Sequence, residues 1–235
     1  MLAESSGGFT PEEWAFQRTP SVVVYSDGLT IAQLPIRTQV YPGPVVSSFL
    51  QKTELAAVAR VLAGVQRTNL DDPEFDWGQP MITDMNSTTV VSQVSRAAKR
   101  TTVSIYALTS VADHNLPQPI RTARNAASAF IDQVASFNSN FYRTKSKPIT
   151  WKPTRWIYLA RPASQVTKSN TRVWFGSTLN REFGCREMTS VENKKFTELV
   201  PKLNENSRWI SQGTVWKITV RPLLPHETSC SDRIY

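Results

Sequence analysis

The chain has 235 residues, 40% hydrophobic and 20% charged, enough apolar content for a buried core and enough length for one large domain or two small ones. Two cysteines exclude a disulfide-dense miniprotein and a four-cysteine zinc site, and no apolar run reaches the roughly 18 residues of a membrane-spanning helix. The formal charge of +8 is unevenly carried: 8 Lys/Arg against 11 Asp/Glu in residues 1–117, and 19 against 8 in residues 118–235, an asymmetry that points to an anionic partner for the second half.

In chain order, residues 1–20 read as a polar N-terminal segment. They lack the basic start, apolar centre and small-residue cleavage site of a secretory signal, so either the protein is cytoplasmic or a signal lies upstream. VVVYSDGLTIAQ (22–33) predicts a hairpin, with Asp27-Gly28 supplying the two positive-φ residues of a type I′ turn. The stretch 36–50 reads as extended, broken at Pro42-Gly43-Pro44. A helix over 53–67 follows, with Thr53 as N-cap and Leu55, Val58, Ala59, Leu62 and Val65 on one face. Residues 69–78 are an acidic loop. TTVVSQV and TTVSIYAL, joined by a basic connection at 95–100, predict a second hairpin, and a second helix over about 120–137 carries an apolar stripe from Ile120 to Phe137.

The polar, basic stretch 138–150 is the best linker candidate. It divides a hairpin–helix–hairpin–helix unit (21–140) from a basic, strand-rich unit (141–235). In the latter, strands are expected near 155–161, 171–176 and 183–188. A third helix spans about 190–204, with Thr189 and Glu192 at capping-box spacing and Pro201 kinking or ending it. TVWKITVRP (214–222) alternates as a half-buried strand. The fold class is therefore α+β: antiparallel sheets built from successive hairpins, with three amphipathic helices packed on one side.

Ten basic residues and eight aromatics are interleaved over 141–186, with Glu182 the one acid there. Basic residues neutralise phosphates and aromatics can stack on bases. However, Trp156 and Tyr158 stand two apart, which is strand alternation rather than a stacking platform, and no RNP, helix-turn-helix or zinc-finger pattern accompanies the charge. Arg143, Lys145, Lys147, Lys152 and Arg155 are the candidate anion-binding residues. An anionic envelope component (lipid headgroups or phosphate-bearing wall polymers) accounts for the same charge.

No P-loop, GxGxxG, GxSxG or HExxH motif occurs, and the chain has two histidines, His114 and His226. No catalytic residue, metal site or cofactor is nominated. The most unusual polar cluster is Thr83-Asp84 with Asn86-Ser87-Thr88. Asp84, Asn86 and Thr88 suit a hard cation or a polar ligand, or they satisfy the backbone of a turn before a strand.

Taken in order, VVVYSDGLTI, GQPMITDMNSTTVV (78–91), TTVSIYAL and GTVWKITVRPLLPHETSC (213–230) resemble a family of uncharacterised exported actinobacterial proteins, secreted or of lipoprotein type. The resemblance covers roughly residues 20–230. It implies export, and a lipid anchor in some members, and no activity. It also implies that the tail cysteine, Cys230, has an upstream partner, Cys185; two unrelated thiols are the alternative. A crosslink is expected in an oxidising compartment rather than in a cytosol. The resulting expectation is a non-catalytic envelope or secreted protein that binds or builds, with binding of an anionic polymer or nucleic acid through 141–186 as the alternative.

Overall fold

The computed structural model describes residues 1–8, 12–34, 47–95, 97–108, 111–163, 170–180, 184–204 and 206–231. The Pro42-Gly43-Pro44 break, Lys168, Arg181, Glu182 and Phe183 lie outside them. The chain is α+β, as its pattern implies, and divides into two compact units. The first comprises the described residues within Met1–Thr10, Thr19–Leu34 and Ser48–Trp151. The second comprises those within Pro11–Arg18, Pro35–Ser47 and Lys152–Tyr235.

The first unit is built on strands β1 (Leu2–Gly7), β2 (Val22–Val24), β3 (Leu29–Gln33), β4 (Phe49–Thr53), β5 (Asn86–Ser92), β6 (Thr101–Tyr106) and β7 (Ile149–Thr150). They form one antiparallel sheet in the order β6-β5-β1-β2-β3-β4-β7. Both expected hairpins are present as β2–β3 and β5–β6. The polar N-terminal segment contributes a strand: β1 lies between the hairpins, with Ala3 opposite Val22 on one side and Val90 on the other. Leu2 and Ala3 are apolar and buried while Ser5, Ser6 and Gly7 follow, too short an apolar signal to register as a strand.

The β2–β3 loop is not type I′. Gly28 N–H donates to the Tyr25 carbonyl (3.1 Å) and Tyr25 N–H to the Leu29 carbonyl (2.8 Å). Gly28 alone in this loop is left-handed, at φ 88°, which is the three-residue loop with a glycine bulge. A Cβ on Gly28 would meet the Leu55 nitrogen at 2.5 Å, so the position needs glycine for space as well as for φ. The tight two-residue turn with both φ positive occurs instead at Gln212-Gly213 (φ 48° and 74°).

Helices α2 (Leu55–Arg67) and α3 (Gln118–Ala135) pack together on the first sheet, after a short α1 (Glu12–Gln17) that belongs to the second unit. The inward face of α2 is Ala57, Val61, Gly64 and Val65, not the larger expected set: Leu55 is 67% exposed. A Cβ on Gly64 would meet the Phe130 ring at 2.2 Å, so close approach of α3 selects the small face. Thr53 does not cap α2. It ends β4, paired with Leu29, and Glu54 occupies the cap position without a side-chain cap bond. The expected linker is part of this unit: Phe141 and Tyr142 are buried in its core, and Ile149–Thr150 pairs with β4.

The second unit holds β8 (Trp156–Pro162), β9 (Thr171–Val173), β10 (Arg186–Glu187), β11 (Arg208–Ser211) and β12 (Thr214–Pro222) in the order β10-β8-β12-β11-β9, with β9 and β11 parallel. Helix α4 (Ser190–Leu199) opens with the expected capping box. It gives way at Pro201 to a 3-10 turn over Val200–Lys202, because proline cannot supply the next helical donor. Strand alternation on β8 splits the packing. Trp156 and Tyr158 join Phe196, Trp174, Trp209 and Trp216, whereas Ile157 joins Phe16 of α1 and Leu223. The closing strand is not half-buried: Thr219 and Arg221 on its second face are buried as well.

Candidate functional site

The tail after β12 is fastened by four devices. Arg221, 1% exposed, donates through both terminal nitrogens to Glu227 (3.1 and 2.5 Å) and through Nε to the Arg18 carbonyl (2.6 Å). Glu227 also accepts the Leu224 N–H (2.7 Å). Arg155 donates to the Glu227 carbonyl (3.1 Å) and the Thr228 carbonyl. Cys185 and Cys230 form a disulfide whose partners stand 45 residues apart in sequence. The Arg-Pro-Leu-Leu-Pro-x-Glu-x-x-Cys tail is thus a structural latch, since its charged and sulfur-bearing members bond to one another, to Arg18 or to Cys185.

Of the candidate anion-binding residues, Arg143, Lys145 and Lys147 lie in the first unit and Lys152 and Arg155 in the second, all exposed. Arg155 is spent on the tail. Arg143, Lys145 and Lys147 ride on a loop held from beneath. The Glu54 carboxylate accepts the N–H groups of Arg143 (2.9 Å) and Thr144 (3.0 Å) and a bond from Arg60. Arg60 also donates to the Phe141 carbonyl (2.6 Å), and Lys52 to the Thr144 carbonyl (3.1 Å). Burial by itself would raise the Glu54 pKa. The amides of Thr144 and Arg143, the Thr144 hydroxyl and the Arg60 charge outweigh it and hold the group at about 2, so Glu54 is a carboxylate throughout the physiological range. The Tyr142 hydroxyl, pushed up to about 12 by burial and the Glu54 charge, donates to Thr30 (3.1 Å). Glu54, Arg60 and Lys52 escaped the sequence reading because their partners lie about 80–90 residues away.

Among the described residues, most aromatics interleaved with this charge pack inward, and Phe175 stacks on Trp174. Phe141, Tyr142, Trp156, Tyr158 and Trp174 are buried, and Trp151 packs edge-on against Phe49.

The polar cluster is a turn and a strand start. Asp84 is left-handed (φ 60°) and exposed, and Asn86 and Thr88 follow on one face of β5. The backbone before this strand is satisfied by Tyr106, whose hydroxyl donates to the Ile82 carbonyl (3.0 Å) and accepts the Met85 N–H (3.1 Å). Among the described residues, no three His, Cys, Asp or Glu side chains come together as a metal site, and no helix is long and apolar enough to cross a membrane.

A fully buried arginine on the apolar stripe of α3 was also missed. Arg124 donates to Asp113 (2.9 Å) and to the carbonyls of Trp77 (3.1 Å), Tyr106 (2.9 Å) and Ala107 (2.7 Å), tying three chain segments to one helix.

No family model, no curated protein and no solved structure matches the chain.

Proposed function

We propose that this is a non-catalytic protein of an extracytoplasmic, oxidising compartment, exported in the manner of the actinobacterial family it resembles. The observation that carries the reading is the Cys185–Cys230 crosslink, set in a tail latch whose other members all serve to hold it. Native disulfides persist where thiols are not kept reduced. Three of the four described buried carboxylates, Glu54, Glu192 and Glu227, are engaged by main-chain N–H groups, as structural carboxylates are; the fourth is Glu4 of β1. Mass measurement of protein taken from culture supernatant, envelope and cytosol, with and without reductant, tests this. A two-proton difference and enrichment outside the cytosol are expected; two free thiols in the native cell would overturn it.

A second reading concerns the partner. The loop carrying Arg143, Lys145 and Lys147 takes an anionic envelope component. Two observations favour it: the loop is fixed by Glu54, so little ordering is needed on binding, and no acidic residue occurs between Asp132 and Glu182. Retention on anionic liposomes should fall with salt, and the double variant K145E/K147E should lower the salt slope by about 2. Unchanged retention would count against the loop. Arg155 is unsuited to this test, because its loss would loosen the tail.

A further inference from the structure

The second unit contains a pocket of about 140 Å³ that none of the reasoning on charge involves. One wall is α1. On a helix, positions three and four apart fall toward one side, so Gln17 lies beside both Trp14 and Glu13, and the three border the cavity. Asn204 and Asn206, ahead of β11, border it as well. Asn204 Oδ1 accepts the Asn206 N–H (2.9 Å), the Ser207 hydroxyl accepts the Asn204 N–H (3.0 Å), and Ser207 N–H donates to the Asn204 carbonyl (2.9 Å). The floor is β12 from Lys217 onward, beyond Trp216, where its pairing with β11 stops.

Two features of this pocket point to a ligand class. The first is Trp14. The second unit's other tryptophans, Trp156, Trp174, Trp209 and Trp216, are buried, whereas Trp14 is 66% exposed at the rim. An isolated exposed apolar side chain needs no explanation, but an indole bordering a polar cavity offers a flat apolar face beside hydrogen-bonding groups. The second is the mixed sign of the lining. Glu13, which pairs with Arg161 at 3.4 Å, stands in the lining with the cations Arg208 and Lys217, so a free cation is disfavoured. A wholly apolar ligand would strip water from amides and charges without replacing their bonds.

We propose that this pocket binds a saccharide, a pyranose unit laying its C–H face on Trp14 while its hydroxyls bond to Asn204, Asn206 and Lys217. Amides both donate and accept, as hydroxyls do, so the Asn206 amide, with the NH2 group and remaining lone pair of Asn204, matches neighbouring hydroxyl groups. The pocket belongs to the second unit and the cationic loop to the first.

Titration of the ¹⁵N-labelled full chain with cellotriose and with triacetylchitotriose, following indole resonances, tests the proposal. The Trp14 signal is assigned by its loss in Trp14→Phe. At least one of the two sugars is expected to shift that signal saturably and to leave the buried indoles in place. Trp14→Ala should weaken binding about tenfold, as expected for a lost aromatic contact, with unchanged thermal midpoint. Asn206→Ala should weaken it about threefold, and K145E/K147E should leave it unaltered. Failure of both sugars to move the Trp14 resonance would overturn the proposal. So would a shift produced by inorganic phosphate and not by either sugar, or undiminished affinity in Trp14→Ala.

Discussion

The two units solve the same problem with different materials. The first fills its interior mainly with small and branched aliphatic side chains (Ala3, Val22, Val61, Val65, Val90, Val103, Ile105) beneath two amphipathic helices, with Trp77, Phe130, Phe141 and Tyr142 as the minority of rings. The second fills its interior with rings: Trp156, Tyr158, Trp174, Phe196, Trp209 and Trp216, several in edge-to-face contact. A seven-stranded sheet with two long helices offers enough repeated surface for aliphatic packing. A smaller sheet with short helices buries more area per residue by using aromatics, and it adds a covalent tie. The contrast extends to the buried arginines. Arg124 is satisfied mainly by main-chain carbonyls and by Asp113 near the surface, whereas Arg221 is satisfied mainly by a carboxylate as buried as itself. In the first unit the charge binds three segments to a helix; in the second it closes the tail on its own strand.

This contrast can be broken most sharply at Arg221. Removing one partner of a buried ion pair leaves the other charged and unsolvated, so Glu227→Ala should cost about 3–5 kcal/mol. Denaturant unfolding followed by tryptophan fluorescence should show the loss, because five of the seven tryptophans lie in the second unit. Amide exchange in the first unit should be unchanged. Reduction of Cys185–Cys230 comes next. For partners 45 residues apart the chain-entropy account gives about 4 kcal/mol, less any native strain, again confined to the second unit. Equal destabilisation of both units by either change would mean that the division into two bodies does not hold energetically.

The smallest of these effects belongs to the first unit and depends on pH. Glu54 is held near 2 in the folded chain against 4.5 for the free group. A depressed folded pKa contributes stability that is fully present above the unfolded value and is lost as pH falls through the folded one. The first unit should therefore weaken between about pH 4.5 and 2, by at most about 3 kcal/mol. Glu54→Gln should flatten that acid limb. A limb of equal depth in the variant would place the acid sensitivity elsewhere.

The elements that could be read directly were those whose information is local. Both hairpins, the long helices, the Thr189–Glu192 capping box and the helix stop at Pro201 depend on residues a few positions apart, where periodicity and backbone chemistry suffice. Elements governed by distant partners were misread. Thr53 looked like an N-cap until β3 claimed it as a strand residue. The larger side of α2 looked like the core face until Phe130 required the smaller one. The stretch 138–150 looked like a linker because its anchors, Glu54, Arg60 and Lys52, lie far upstream. For the candidate sites the division is the same. The exposed cations and the two cysteines were visible as residue types, while the support beneath the loop and the convergence of Trp14 with Asn204 and Asn206 were not.

The order of residues by itself determined the α+β class, the uneven charge and most of the regular elements, because hydrogen-bonding geometry and side-chain periodicity act over one or two turns of chain. Tertiary structure alone decided the placement of β1 between two hairpins, which face of α2 turns inward, and the burial of Arg124, Arg221 and Glu227. Those outcomes rest on contacts between segments distant in sequence, where the free energy of satisfying a buried charge or excluding a methyl group outweighs any local preference.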